Sequence, residues 1–206
     1  MKSYLLGFVL TFLISFQTNS QENKDNEIAI LFIGNSLTYY NNLPKLVVNY
    51  AFSNKGINIK TEMIAHPNYA IEDHWRDGKI QKLISSKSFD YVIIQQGPSS
   101  QNLGKNMLIE YGKKLNVICK ENNAKLCYFM VWPSIHYYQT FDKVIENHAY
   151  AAKINNSLLL SVGTHWKNFI DEHNDYSFYG SDGFHPSVKG SKEAAKIIVE
   201  TLFPVN

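Results

Sequence analysis

Residues 28–38 read Ile-Ala-Ile-Leu-Phe-Ile-Gly-Asn-Ser-Leu-Thr, and the first six of them decide the fold class. An unbroken apolar run that short, rich in β-branched residues and closed by Gly34, is the pattern of a strand buried on both faces, as strands of parallel sheets are. Outward from it, the chain alternates such runs with longer ones whose apolar residues recur at helical spacing. The first of these, 44–55, carries Leu46, Val47, Tyr50 and Ala51 on one stripe and has Gly56 as its stop. Further strands are expected at 57–65, 91–95, 125–131 and 157–162, and further helices at 79–86, 102–122, 141–155 and 187–203. Strands alternating with helices form βαβ units with right-handed crossovers, and their sheet is covered on both faces. The expected architecture is therefore α/β, a three-layer α/β/α sandwich around a five-stranded parallel sheet. In such sheets reactive groups gather at the carboxyl ends of the strands.

Residues 1–20 read as an export leader rather than as part of that fold. Lys2 supplies a positive start, and residues 4–16 are apolar apart from Thr11 and Ser15. That stretch is shorter than the roughly 20 residues a membrane-spanning helix needs. Thr18 and Ser20 are small enough to precede a cut, so the mature chain is expected to begin at or near Gln21 and to be periplasmic or secreted, without stable membrane insertion. No cysteine stands near the cut, which disfavours a lipid anchor. Residues 21–206 are expected to form one domain. Lys and Arg number 20 against 18 Asp and Glu, too even a balance for a basic surface that would bind nucleic acid. Cys119 and Cys127 are the only cysteines, so the fold rests on its core; the two either pair in an oxidising medium or stay as buried thiols. Nothing in the sequence specifies an oligomeric state.

Two short segments carry chemistry. Gly34-Asn35-Ser36-Leu37 places a serine between the first strand and a helix, where serine most often acts as a cap. Asp182-Gly183-Phe184-His185-Pro186 leads into the last helix. A nucleophilic serine needs a base within hydrogen-bond reach and a carboxylate that orients that base. A three-residue step around Gly183 can set Asp182 against the His185 imidazole. Alone, each segment reads as a cap; together they supply Ser, Asp and His at one edge of the sheet.

The runs FIGNSLT (32–38) and SDGFHPS (181–187) resemble the first and last conserved blocks of the SGNH (GDSL-type) hydrolases, whose fold is flavodoxin-like. The runs IEDHW and SVGTHWKN are similar to a bacterial subgroup of that class, many of whose members are read as carbohydrate esterases. The resemblance implies attack by Ser36 on an ester carbonyl, with His185 as base and then acid and Asp182 holding the imidazole in the useful tautomer. It also implies an oxyanion hole that includes the Ser36 backbone N–H. The middle blocks depart from the family. Where the second offers a glycine N–H, this chain has residues 65–70, Ala-His-Pro-Asn-Tyr-Ala, and Pro67 has no N–H, which leaves the backbone of Asn68 as the substitute. Where the third supplies an asparagine, the simplest alignment puts Ser99, and Gln96 is the alternative amide donor.

Trp75 and Trp132 end or follow elements near the active edge and are candidates for a sugar platform, against core packing as the plainer reading. The remaining histidines, His66 and His74 among them, show no metal-ligand spacing. Asp171-Glu172-His173 fits a solvated face. The resemblance thus implies a serine esterase without metal or cofactor, removing a small acyl group such as acetyl from a small-molecule or glycan ester. A lipid or thioester substrate is the near alternative and would require an apolar trough beside Ser36. A non-catalytic glycan-binding protein is the alternative of another class, and a long distance between Ser36 and His185 would favour it. A binding domain for a phosphorylated ligand lacks the Gly-rich loop it would need.

Overall fold

Strand β1 (Ile28–Gly34) lies inside the sheet, and its side chains alternate between two apolar layers. Ile30 and Phe32 enter one layer, Leu31 and Ile33 the other, and none of the four retains exposed surface. Burial on both faces is thus why the run is unbroken. The computed structural model describes residues 27–204, so the leader expected at 1–20 lies outside the described residues. Within them, β2 (Ile59–Ala65), β3 (Tyr91–Ile94), β4 (Lys125–Phe129) and β5 (Leu158–Leu160) complete a parallel five-stranded sheet in the order β2-β1-β3-β4-β5.

Helices α1 (Ser36–Tyr39), α2 (Leu43–Lys55), α3 (Ile71–Asp77) and α4 (Lys79–Ser86) precede β3; α5 (Asn102–Glu121), α6 (Phe141–Ile154), α7 (Val162–His173) and α8 (Val188–Leu202) follow it. Val47 of α2, Trp166 of α7 and Ile198 of α8 fill one layer; Ile71, Ile84 and Leu115 of α3, α4 and α5 fill the other. The three-layer sandwich is as expected, but some bounds differ. β4 stops at Phe129 although Met130, Val131 and Trp132 are all buried. Their apolar character answers to core burial rather than to strand pairing. α1 and α3 have 4 and 7 residues, too few to display helical periodicity, and Gly78 in the left-handed region divides α3 from α4.

Strand order reverses beside β1: the chain runs from β1 out to β2, then returns to place β3 on the other side. Ile33 pairs with Ile94 at the carboxyl ends of β1 and β3, and the crevice above such a reversal is where open α/β sheets bind ligands.

Cys119 and Cys127 are free and buried, and burial pushes both thiols up, Cys119 to about 12. A buried network joins β4 to two helices: Tyr128 Oη donates to Leu108 O at 2.9 Å and accepts from Asn155 Nδ2 at 2.7 Å. Gly112 of α5 leaves room for this phenol, since a Cβ there would overlap the hydroxyl and stand 2.6 Å from Tyr128 Cζ. Gly112→Ala gains about 1 kcal/mol of helix propensity. It loses about 1–3 kcal/mol to overpacking and about 1–3 kcal/mol more where the hydroxyl loses its partners. Net destabilisation of about 1–5 kcal/mol is expected in urea unfolding, and an unchanged midpoint would show that the phenol does not need this space.

His148 of α6 is buried, with Nδ1–H donating to Val144 O at 2.8 Å and Nε2 unpartnered. Burial lowers its pKa to about 4. The unfolded chain, with an ordinary histidine pKa near 6.5, takes up a proton that the folded chain refuses. This group therefore leaves stability unchanged at higher pH and lowers it as pH falls from about 6.5 to about 4, by roughly 3 kcal/mol in all. Urea midpoints measured across that range should fall less steeply in His148→Gln than in the wild type, and parallel slopes would contradict the assignment.

Candidate active site

Three loops at the carboxyl edge of the sheet build the site. The first follows β1. Asn35 caps α1, its Oδ1 accepting from Leu37 N at 3.1 Å, and Ser36 is the first residue of that helix. The Asn35 amide also donates to Tyr69 O at 3.0 Å, tying this loop to the one after β2.

The second loop, between α7 and α8, closes on itself before it presents His185. Tyr179 and Pro186 form an isolated antiparallel bridge, Gly180 N donates to His185 O at 2.7 Å, and Ser187 N donates to Phe178 O at 2.8 Å. Gly183 at its tip has φ 66°, a left-handed conformation that glycine adopts without strain. That turn lets Asp182 Oδ1 accept from both Phe184 N and His185 N at 2.9 Å, while Oδ2 takes a 2.6 Å bond from His185 Nδ1. The His185 bond, followed by the Phe184 N–H, holds the Asp182 carboxyl below its usual range, so it stays ionised at neutral pH. An ionised carboxylate only accepts, so the imidazole proton sits on Nδ1 and Nε2 is left as an acceptor. Ser36 Oγ lies 2.9 Å from that Nε2, across 149 positions of sequence. Ser36, His185 and Asp182 therefore form one hydrogen-bonded line, the arrangement a nucleophile, its base and an orienting carboxylate would need, and Tyr40 stacks on the imidazole with ring centroids 4.5 Å apart and planes 15° from parallel.

Contacts from the segment after β4 fix this second loop. Trp132 Nε1 donates to Phe184 O at 3.0 Å, Ile135 N donates to Gly183 O at 2.8 Å, and Tyr179 Oη donates to Pro133 O at 2.9 Å. Trp132 has 0% exposure and stacks on Trp166 at 3.6 Å, so it is no sugar platform: it anchors the histidine loop from below. Trp75 is corrected in the same way. It packs against the layer that holds Leu31 and Ile33, with the Lys114 ammonium 5.7 Å above its ring, and borders neither of the clefts described below.

The third-block donors also need correction. Gln96 is buried, and its Nε2 gives one hydrogen to Ser99 Oγ at 2.7 Å and the other to Gly104 O at 3.0 Å. Ser99 Oγ, having accepted from Gln96, donates to Gly97 O at 3.0 Å. Both side chains are consumed in shaping their own loop and have no donor left for an oxyanion. The expected backbone donors differ from them: the N–H groups of Ser36 and Asn68 bond to no described acceptor. Asn68 has φ 61° and lines, with Asn35 and Gly97, a cleft of about 350 Å³.

Two positions that sequence reading passed over support the nucleophile. Gln95 Oε1 accepts from Asn35 N at 2.9 Å and from Thr38 Oγ1 at 2.7 Å, fastening the loop after β1 to the end of β3. His74 Nε2–H donates to Gly34 O at 2.8 Å, and burial lowers its pKa, which keeps the ring neutral. His74 belongs to the IEDHW run and Gln95 follows an apolar strand, but only the strand order tells that each reaches β1.

A second cleft, of about 490 Å³, adjoins the first; Pro98 and Phe184 border both. Ser36, Asp182 and His185 line neither cleft themselves, but their chain neighbours Asn35 and Phe184 do, whereas a cavity of about 750 Å³ lies apart between α2 and α8. Among the described residues no cluster of His, Cys, Asp and Glu could hold a metal ion, and no helix is long and apolar enough to cross a membrane.

No family model and no curated protein matches the sequence. Solved structures do. A candidate SGNH hydrolase from Slackia heliotrinireducens is similar over 86% of this chain and 100% of its own, with a TM-score of 0.72 and 22% identity. A lipase/acylhydrolase from Enterococcus faecalis matches 84% of this chain and 94% of its own (TM-score 0.66, 16% identity). An acetylxylan esterase from Geobacillus stearothermophilus, solved as a catalytic mutant, matches 85% and 94% (TM-score 0.66, 15% identity). Identities this low speak for architecture, and the architecture is one: the chain has the fold of the SGNH hydrolases.

Proposed function

We propose that this chain is a serine esterase, and the observation that carries the reading is the hydrogen-bonded line from Ser36 through His185 to Asp182. Ser36 Oγ attacks the ester carbonyl carbon while its proton passes to His185 Nε2. Asp182 stabilises the imidazolium that results. The carbonyl oxygen becomes an oxyanion held by the N–H groups of Ser36 and Asn68. Collapse breaks the bond to the leaving alcohol, which takes the proton from Nε2. Water, deprotonated by the same imidazole, then attacks the acyl-serine, and the acid leaves as Ser36 Oγ recovers its proton.

Short acyl groups suit the 350 Å³ cleft, which is polar at Asn35 and Asn68 and apolar at Ala70, Pro98, Leu103, Met107 and Phe184. That size lies near the small end of the roughly 300–1,000 Å³ typical of ligand sites. An acetyl ester of a hydroxylated compound is the substrate class we favour, in an exported protein matured at or near Gln21. The 2.9 Å contact between Ser36 and His185 speaks against a purely glycan-binding role, which needs no such line.

Ser36→Ala is expected to lower kcat for an activated acetyl ester by roughly 10⁴-fold or more, with stability within about 1 kcal/mol of wild type. Asp182→Asn, which keeps the shape but not the charge, is expected to lose roughly 10³- to 10⁴-fold. Steady-state kinetics with urea unfolding as the control decides the matter, and coincident rates for wild type and Ser36→Ala would end the esterase reading.

A further inference from the structure

The cleft of about 490 Å³ has no part in the steps above, yet it shares Pro98 and Phe184 with the 350 Å³ cleft that Asn35 and Asn68 line. Three loops converge on it: the one after β3, the one after β4, and the histidine loop. Its position is chemically directed. His185 must hand its proton to the departing alcohol, so the alcohol half of the ester lies on the imidazole side of the serine, and the Phe184 ring is 5.2 Å from the imidazole.

Its walls are of two kinds. Tyr137, 57% exposed although apolar surface of that size is usually covered, faces it together with Phe184 and the rings of Pro98 and Pro133. Between these flat faces stand Ser100 and Ser134, whose hydroxyls bond to no described residue. A hydrocarbon chain laid there would desolvate both hydroxyls without compensation. A sugar ring offers both halves of the match, apolar C–H faces for the aromatic rings and hydroxyls for the serines.

Resting on the esterase reading for its adjoining site, we infer that this cleft is the leaving-group subsite and that it takes a pyranose ring, so that the substrate is an O-acetylated saccharide. Tyr137 is then a specificity-determining residue that touches the sugar and leaves the chemistry at Ser36 alone.

Two assays separate this inference from the reading beneath it. In the first, kcat/KM is compared for a mono-O-acetylated methyl glucoside, which keeps its other hydroxyls, and for ethyl acetate, whose alcohol is a two-carbon chain with no ring to stack on Tyr137. The ratio should favour the sugar ester and fall about tenfold or more in Tyr137→Ala, chiefly through KM, with Tyr137→Phe restoring most of it. A ratio unchanged in Tyr137→Ala, or a preference for long-chain acyl esters that the same change abolishes, would overturn the sugar assignment. In the second, calorimetric titration of methyl glucoside into Ser36→Ala is repeated with Tyr137→Ala added; affinity should drop by a similar factor. Absence of binding, or binding indifferent to Tyr137, overturns the subsite. If neither ester is turned over but glucoside binding depends on Tyr137, the cleft is a sugar site, and its role as a leaving-group subsite falls with the esterase reading.

Discussion

The proposed chemistry depends on one hydrogen bond, from the Ser36 hydroxyl to His185 Nε2 at 2.9 Å. Its two ends arrive from opposite ends of the domain and are joined by no local structure. A bond of this kind contributes only about 1 kcal/mol by itself, so it cannot be what brings the ends together. The sheet does that, by placing β1 in its interior and letting α8 return beside α2. The bond is a consequence of packing, and its precision is inherited from groups that never touch a substrate: Gln95 and His74 beneath the serine, Trp132 and Ile135 beneath the histidine.

Those supports explain how a half-exposed pair performs as an ordered one. The side chains of Asp182 and His185 are 48% and 24% exposed, and a surface ion pair is ordinarily worth little. Here Asp182 is also held by two backbone N–H groups of its own loop, and that loop is pinned through the Phe184 carbonyl to the buried Trp132. Orientation comes from the backbone, and the carboxylate is left to do electrostatics. Tyr40, lying flat on the imidazole, removes one face of the ring from water and limits its rotation.

The sheet and the pairing of Asp182 with His185 were legible in the sequence because both are written locally. Ile28 to Ile33 is a buried strand whatever surrounds it, and Asp182 and His185 are close enough for one turn to join them. What could not be read depends on how irregular loops fold back on themselves and which helices cover them. Gln96 has the right chemistry for an oxyanion donor, and nothing near it in sequence says that Gly104 and Ser99 use up its amide. Trp132 follows a strand at the active edge, as a platform residue would, yet Trp166 arrives from α7 to bury it. Tyr137 was invisible for the opposite reason: it sits in a short 3-10 segment, where no periodicity separates an exposed aromatic from a buried one.

The loss of Gln96 and Ser99 as donors bears on what kind of oxyanion hole this fold can build. A side-chain amide is adjustable and costs rotamer entropy to hold in place, whereas a backbone N–H is positioned by the chain itself. Asn35 links the two backbone candidates: it caps the helix that begins at Ser36, and its amide holds Tyr69 O, one residue beyond Asn68. Any shift of the serine loop is therefore transmitted to the loop carrying Asn68. Donors coupled in this way move together and keep their spacing, and the electrostatic preorganisation that lowers the barrier requires a fixed spacing. On this view the asparagine beside the nucleophile matters as much to the site as a third donor would, although it need never touch the oxyanion.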